Sequence, residues 1–254
     1  MVKRADVVVE NYRPGVMDKL GLGYEELKKN NDRIIYAAVS GFGCYGPKSL
    51  RPGYDIIAQA TGGLMSITGE PGRHGIRVGN AMGDVLGGMN LTIGILIALH
   101  ARTITGKGQR VDVSLVDSVV SSLETGTQRY FASGKQPELM GNRYAAAYPY
   151  DSFKASDGFF VIGCGNDKLF SLFCNNVLHR PELLEDSRFA TNIKRCEYHA
   201  ELKPIIEEWS VNYSIDEAVD LLNEAGVPAA PINDLQRVTE DDHIANVREM
   251  FVPL

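Results

Sequence analysis

Residues 79–115, GNAMGDVLGGMNLTIGILIALHARTITGKGQRVDVSL, constrain this chain more than any other stretch. An apolar run over 85–99 follows directly on an acid, Asp84, that glycines flank on both sides. Gly87, Gly88, Asn90 and Thr92 interrupt the run, and it falls short of the ~18–20 residues that span a bilayer. It is therefore expected to be a helix buried on all sides in a globular core. At the mouth of such a helix, free backbone N–H groups and the helix dipole favour a carboxylate as its anion, and the glycines leave room for a substrate. An N-cap is the ordinary role for aspartate in this place; a nucleophile is the functional alternative.

With 254 residues, 44% of them hydrophobic and 23% charged, the chain is long enough for one large or two smaller cores. A formal charge of −6 provides no electrostatic footprint for DNA or RNA. Cys44, Cys164, Cys174 and Cys196 form no C-x-x-C pair and stand at no zinc-finger spacing from histidine, so they are read as reduced thiols with no metal site. The five histidines are scattered and none sits in a catalytic context. The N-terminal apolar run is only three valines, too short for a signal-peptide core, and the cytoplasm is the expected compartment, with no membrane role.

Along the chain, residues 6–10 and 34–40 read as strands. Helical segments lie between them, one beginning at Pro14 and one at YEELKKN, a parallel βαβ arrangement of the Rossmann type. No G-x-G-x-x-G follows either strand, so the dinucleotide fingerprint is missing. Residues 41–54, GFGCYGPKSLRPGY, are a loop at a strand's carboxyl end, the edge where open α/β sheets bind ligands. A helix is expected over 56–61, a loop over 68–80, a strand over 110–115 and helix over 115–133. The turn-rich stretch 134–149 is the candidate domain boundary. Beyond it, a strand at 159–163 and helices near 168–178, 194–209 and 215–225 make a smaller α/β unit. VPAAP at 227–231 reads as an extended linker, and Asn233 as the cap of a last helix.

Three words of the sequence, VENYRPG at 9–15, MGDVLGG at 82–88 and ILIALHARTITGKGQRVDVSL at 95–115, resemble the class III CoA-transferases. This is the CaiB/BaiF family of formyl-CoA transferase and the carnitine and bile-acid CoA-transferases, and the likeness runs in one register from about Ala5 to the C-terminus. It implies an incomplete Rossmann-like parallel-sheet domain over 1–140 that carries the CoA pocket and the catalytic aspartate. A small α/β domain over 141–228 follows, then a linker and the start of a return segment over 229–254.

The resemblance assigns Asp84 as the nucleophile, in the G-D-x-x-x-G context of Gly83, Asp84 and Gly88. It implies CoA transfer from an acyl-CoA donor to a carboxylic acid through an aspartyl anhydride and an aspartyl-CoA thioester, with CoA as substrate and no permanently bound cofactor. CoA needs amide donors, a cation and an aromatic or apolar shelf, which the turn Asn11, Tyr12, Arg13 offers. In the family the matching turn contacts CoA, as does a basic residue at the place of Lys19. The pair matching Tyr54 and Asp55 lines the acyl and pantetheine end of the site.

Sibling acyl-CoA racemases carry a histidine immediately before the residue matching Asp55. Here that place is Tyr54, and a phenol is poorly suited to abstract a proton at neutral pH. Family members extend further at both ends, so the resemblance also implies an internal fragment. The homodimer of full-length relatives is interlocked, and closing that interlock needs both ends. A truncated, non-catalytic CoA-binding or oligomerising module is the reading from another functional class.

Overall fold

Three short strands, β1 (Val7–Glu10), β2 (Ile35–Ser40) and β3 (Arg110–Ser114), form a parallel sheet in the order β1-β2-β3. The register pairs Val7 with Ile35 and Ser40 with Ser114, so all three carboxyl ends reach one edge. The computed structural model describes residues 1–252 and divides the chain into two units, Met1–Gly141 and Asn142–Leu254, of which the first holds this sheet. Central strand β2 is buried along nearly its whole length, as a parallel strand covered on both faces must be. Ala37 and Val39 look to one side, into a cluster with Ala58, Leu91, Leu115 and Val119. Tyr36 and Ala38 look to the other, packing with Ile34 and Leu27.

The helices of this unit are α1 (Val16–Lys19), α2 (Tyr24–Asn30), α3 (Asp55–Thr61), α4 (Met82–Thr105), α5 (Leu115–Ser121) and α6 (Thr125–Ser133). The helical stretch expected over 115–133 is broken in two. The chain turns between α5 and α6 through Glu124, which sits at φ 43°, and no single helix passes through such a residue.

Helix α4 corrects a larger expectation. It runs for 24 residues and is long and apolar enough to cross a membrane by length and composition alone. It is not buried on all sides. Its buried residues are Gly83, Gly87, Leu91 and Ala98, a mostly small stripe at helical spacing, while Met89 (57%), Leu96 (60%) and Ile97 (63%) are exposed. Close approach to the sheet is the reason. A Cβ at Gly87 would lie 2.5 Å from Leu115 Cδ2, and one at Gly94 would lie 2.6 Å from Val111 Cγ1. At its far end Arg102 ties the helix down, donating to the Arg33 carbonyl at 2.9 Å and to Asp6 Oδ1 at 2.8 Å.

The second unit is built on an antiparallel sheet of β4 (Tyr150–Lys154), β5 (Phe159–Gly163) and β6 (Ala229–Pro231), in that order. Helices α7 (Asp167–Leu172), α8 (Asn192–Glu197), α9 (His199–Ser210), α10 (Ile215–Glu224) and α11 (Leu235–Glu240) accompany it. Within 227–231, read from its two prolines as linker, residues 229–231 are an edge strand: Phe160 pairs with Pro231, and Pro is tolerated at a sheet edge. The last helix is capped by Asp234, which accepts from the Arg237 amide at 2.8 Å, rather than by Asn233.

The aromatic core of this unit, including Phe153, Phe160, Phe170 and Phe173, encloses a charged side chain, Arg195, at 0% exposure. Its guanidinium donates to the Tyr148 carbonyl (2.8 Å), the Phe189 carbonyl (2.9 Å) and Asp167 (2.7 Å), and lies 4.2 Å from the Phe170 ring centre. Arg195→Met keeps the volume and orphans two buried carbonyls. A loss of about 3 kcal/mol is expected in urea unfolding followed by the single tryptophan, Trp209, which stacks edge-on against Phe173. A loss under about 1 kcal/mol would show the network to be dispensable.

Candidate active site

The carboxyl edge of the parallel sheet gathers most of the residues singled out in the sequence. At the end of β1, the buried Glu10 accepts from the Tyr12 amide at 2.7 Å and from the Tyr36 hydroxyl at 3.3 Å. These bonds fold the chain back into the turn Asn11, Tyr12, Arg13. Burial, and then the charge of Glu10, push the Tyr36 hydroxyl well above the ordinary phenol range and keep it a donor. Gly15 then adopts φ 86°, which glycine takes without strain, and α1 begins.

The loop between β2 and α3 returns to the same edge. Gly41 and Gly53 touch backbone to backbone: a Cβ on either would lie 2.5 Å from the other's Cα. Asp112 anchors the loop by accepting from the Cys44 amide at 3.0 Å. Asn11, Tyr12 and Arg13 share one cavity of about 250 Å³ with Tyr54. Among the lining residues that sequence reasoning missed are Arg51 and Ser40, and the Ser40 hydroxyl is buried with no partner among the described residues. Arg51 lay within the loop already marked as ligand-binding; nothing in the sequence distinguished Ser40 from the rest of its strand. Lys19 is exposed at the end of α1 and is not among the cavity's lining.

Tyr54 and Asp55 part company. Tyr54 is the N-cap residue of α3 and is exposed in the cavity, whereas Asp55 faces the protein. Its Oδ1 accepts from the Gly83 amide at 2.8 Å and its Oδ2 from Gln59 Nε2 at 2.8 Å. Asp55 thus satisfies one of the orphan amides at the start of α4 from a neighbouring helix. A side chain at Gly83 would be tight: a Cβ would stand 3.2 Å from both Ala58 Cβ and Asp55 Oδ1.

Asp84 lies in the first turn of α4, two residues inside its start, and Ala81 holds the cap position. The residue is exposed, yet its carboxyl is partly shielded, and this shielding followed by the charge of Asp55 holds its pKa above the ordinary aspartate value. The sequence suggested the opposite, an anion favoured by free amides and the dipole. Partial burial comes first and the like charge of Asp55 second, and Asp55 has also taken the Gly83 amide. One turn on, the Cβ direction of Gly88 meets nothing within 4 Å, so open space adjoins Asp84 on the helix face they share. A carboxylate that is accessible, incompletely solvated and flanked by open space is suited to nucleophilic attack on an electrophilic carbon.

The whole sequence, residues 1–254, matches the family model described as CoA-transferase family III. It is 44% identical to the acetyl-CoA:oxalate CoA-transferase of Acetobacter aceti, over 92% of this chain and 60% of that protein. It is 37% identical to the succinyl-CoA–D-citramalate CoA-transferase of Chloroflexus aurantiacus, over 96% of this chain and 60% of that one. The crystal structure of a CAIB/BAIF family protein from Brucella suis superposes with a TM-score of 0.83 at 42% identity, covering 96% of this chain and 64% of that chain. The chain spans about 60% of the length of the curated relatives it matches.

Proposed function

The chain belongs to CoA-transferase family III, and from that premise we propose that it moves coenzyme A from an acyl-CoA donor to a small carboxylic acid, with Asp84 as the nucleophile. An Asp84 oxygen attacks the thioester carbonyl; the C–S bond breaks, leaving an acyl-aspartyl anhydride and the CoA thiolate. The thiolate attacks the aspartyl carbonyl and releases the donor acid, giving an aspartyl-CoA thioester. The acceptor carboxylate attacks that thioester; the C–S bond breaks, giving a second anhydride and freeing the CoA thiolate. The thiolate then attacks the acceptor's carbonyl, and Asp84 is returned as carboxylate.

One observation carries this reading: the exposed Asp84 stands in the first turn of α4, whose Gly83 amide Asp55 fastens to the helix that Tyr54 caps, and Tyr54, though not Asp84 itself, lines the cavity with the Asn11–Arg13 turn. In this reading Asn11, Tyr12, Arg13, Tyr54 and Ser40 hold CoA, with Lys19 reaching its outer end. The unpaired Ser40 hydroxyl supports a polar ligand there. Asp55 acts on Asp84 and its helix rather than on CoA. CoA enters as substrate, and no resident cofactor is proposed.

Relatives named for oxalate and D-citramalate make small dicarboxylates the first acceptors to try, with acetyl-CoA and succinyl-CoA as donors. We further propose a cytoplasmic homodimer. The exposed apolar side chains along α4 (Val85, Met89, Ile93, Leu96, Ile97) are a surface that association would cover.

Incubation with succinyl-CoA and hydroxylamine, followed by peptide mass spectrometry, tests the mechanism. A hydroxamate on Asp84 is the expected product. If CoA binds and Asp84 stays unmodified under conditions that label a full-length relative, the chain is a binding module and the transfer reading fails.

A further inference from the structure

Gln59 lies in the middle of α3 at 0% exposure, among residues such as Ala58 that pack as plain core. An amide in such a place is costly unless every polar atom is paired, and here each is. Its Oε1 accepts from the Val78 amide at 2.9 Å. Its Nε2 donates to Asp55 Oδ2 at 2.8 Å and to the Asn80 carbonyl at 3.2 Å. The orientation of the amide follows from its neighbours: a backbone N–H can meet only the oxygen, and a carboxylate and a carbonyl can meet only the nitrogen.

These bonds converge on the segment that delivers Asp84. Val78 and Asn80 belong to the loop entering α4, and Asp55, held by Gln59, in turn holds the Gly83 amide beside Asp84. No other side chain among the described residues bonds both to that loop and to Asp55. We infer that Gln59 is a positioning residue for the reaction proposed above: it sets where the first turn of α4, and with it Asp84, stands relative to the cavity at Tyr54. It touches neither substrate nor the reacting atoms. The inference rests on the transfer reading, and one arm of its test is independent of turnover.

That test is Gln59→Met, which keeps the length and loses all three bonds. In ¹⁵N-labelled protein the Gly83 amide, bonded to a carboxylate in the wild type, is expected to move upfield, with resonances of β4 and β5 unchanged. In single-turnover reaction with succinyl-CoA, Asp84 acylation is expected to slow at least tenfold, while the affinity for CoA, set at the β1 turn, stays within threefold. A merely structural role would weaken both together or neither. Acylation within twofold of wild type, or an unmoved Gly83 amide, overturns the inference. If Gln59→Met does not fold, Gln59→Glu keeps the acceptor for Val78 and replaces the donor to Asp55 and Asn80 by a second carboxylate oxygen, with at least a fivefold slowing expected and wild-type acylation again overturning it. A wild-type protein that never acylates sinks the transfer reading instead, and the Gly83 amide still decides the role of Gln59.

Discussion

Replacing Asp84 by Asn is expected to lower CoA transfer by about 10³-fold or more and to leave the fold intact. The amide has the same shape and cannot form the anhydride. The stability half of this prediction follows from the sign of the pKa shift. Shielding and Asp55 raise the Asp84 pKa in the folded chain, so the folded state holds that proton more tightly than the unfolded one. Such a group supports the fold at low pH and loses that support as pH rises from its unfolded towards its folded value. At neutral pH the charged Asp84 is therefore a small liability, and Asp84→Asn is expected to melt no lower than the wild type.

The same shift predicts an acid limb in the wild-type rate, displaced upward from where an ordinary aspartate would place it. Initial rates and thermal melts from about pH 4 to about pH 8 check both halves. A variant that keeps more than about one per cent of transfer would remove Asp84 from the mechanism.

Gly88→Leu is expected to fold as well as the wild type, or slightly better, and to lose about 100-fold or more in kcat/KM for the acyl-CoA. No atom lies within 4 Å of the Gly88 Cβ direction, so the new side chain enters open space one turn from Asp84. Leucine also improves a helix interior relative to glycine by roughly 0.5–1 kcal/mol. The adjacent glycine supplies the control. Gly87→Leu would drive its Cβ to 2.5 Å from Leu115 and should destabilise by about 1–3 kcal/mol through overpacking. Two neighbouring glycines are thus expected to separate, Gly87 mattering for packing and Gly88 for access. Wild-type kcat/KM in Gly88→Leu would mean that substrate does not approach across this face of α4.

Much of the first unit could be read from local pattern. The β-branched run before Glu10 and the apolar run before Gly41 are strands, YEELKKN is a helix, and the glycine- and proline-rich stretch 41–54 is a loop at the sheet's carboxyl edge. Asn11, Tyr12, Arg13 and Tyr54, singled out from short motifs, share one cavity. Less was visible in the second unit. The strand β4, YDSFK, has weak alternation and was missed, and β6 is three residues of alanine and proline whose strand character comes only from pairing with β5.

The site itself divides along the same line. The resemblance paired Asp55 with Tyr54 as a lining residue; the structure shows its side chain, at the start of α3, bonded to the Gly83 amide and to Gln59. Gln59 carried no signal at all, since its role consists of partners 4, 19 and 21 positions away in the chain.

Residue order alone determined most of the strands and helices of the first unit, that a carboxylate stands in the first turn of the long apolar helix, and which motif families the chain carries. Local propensity and short-range spacing suffice for these. Tertiary structure decided which face of α4 is inside, which way Asp55 points and what the carboxyl of Asp84 feels. Those depend on how closely backbones approach and which charges become neighbours. A sequence with glycines at 83, 87 and 94 records where side chains are missing, and only the packed sheet and α5 show that the missing side chains are what lets the helix come in.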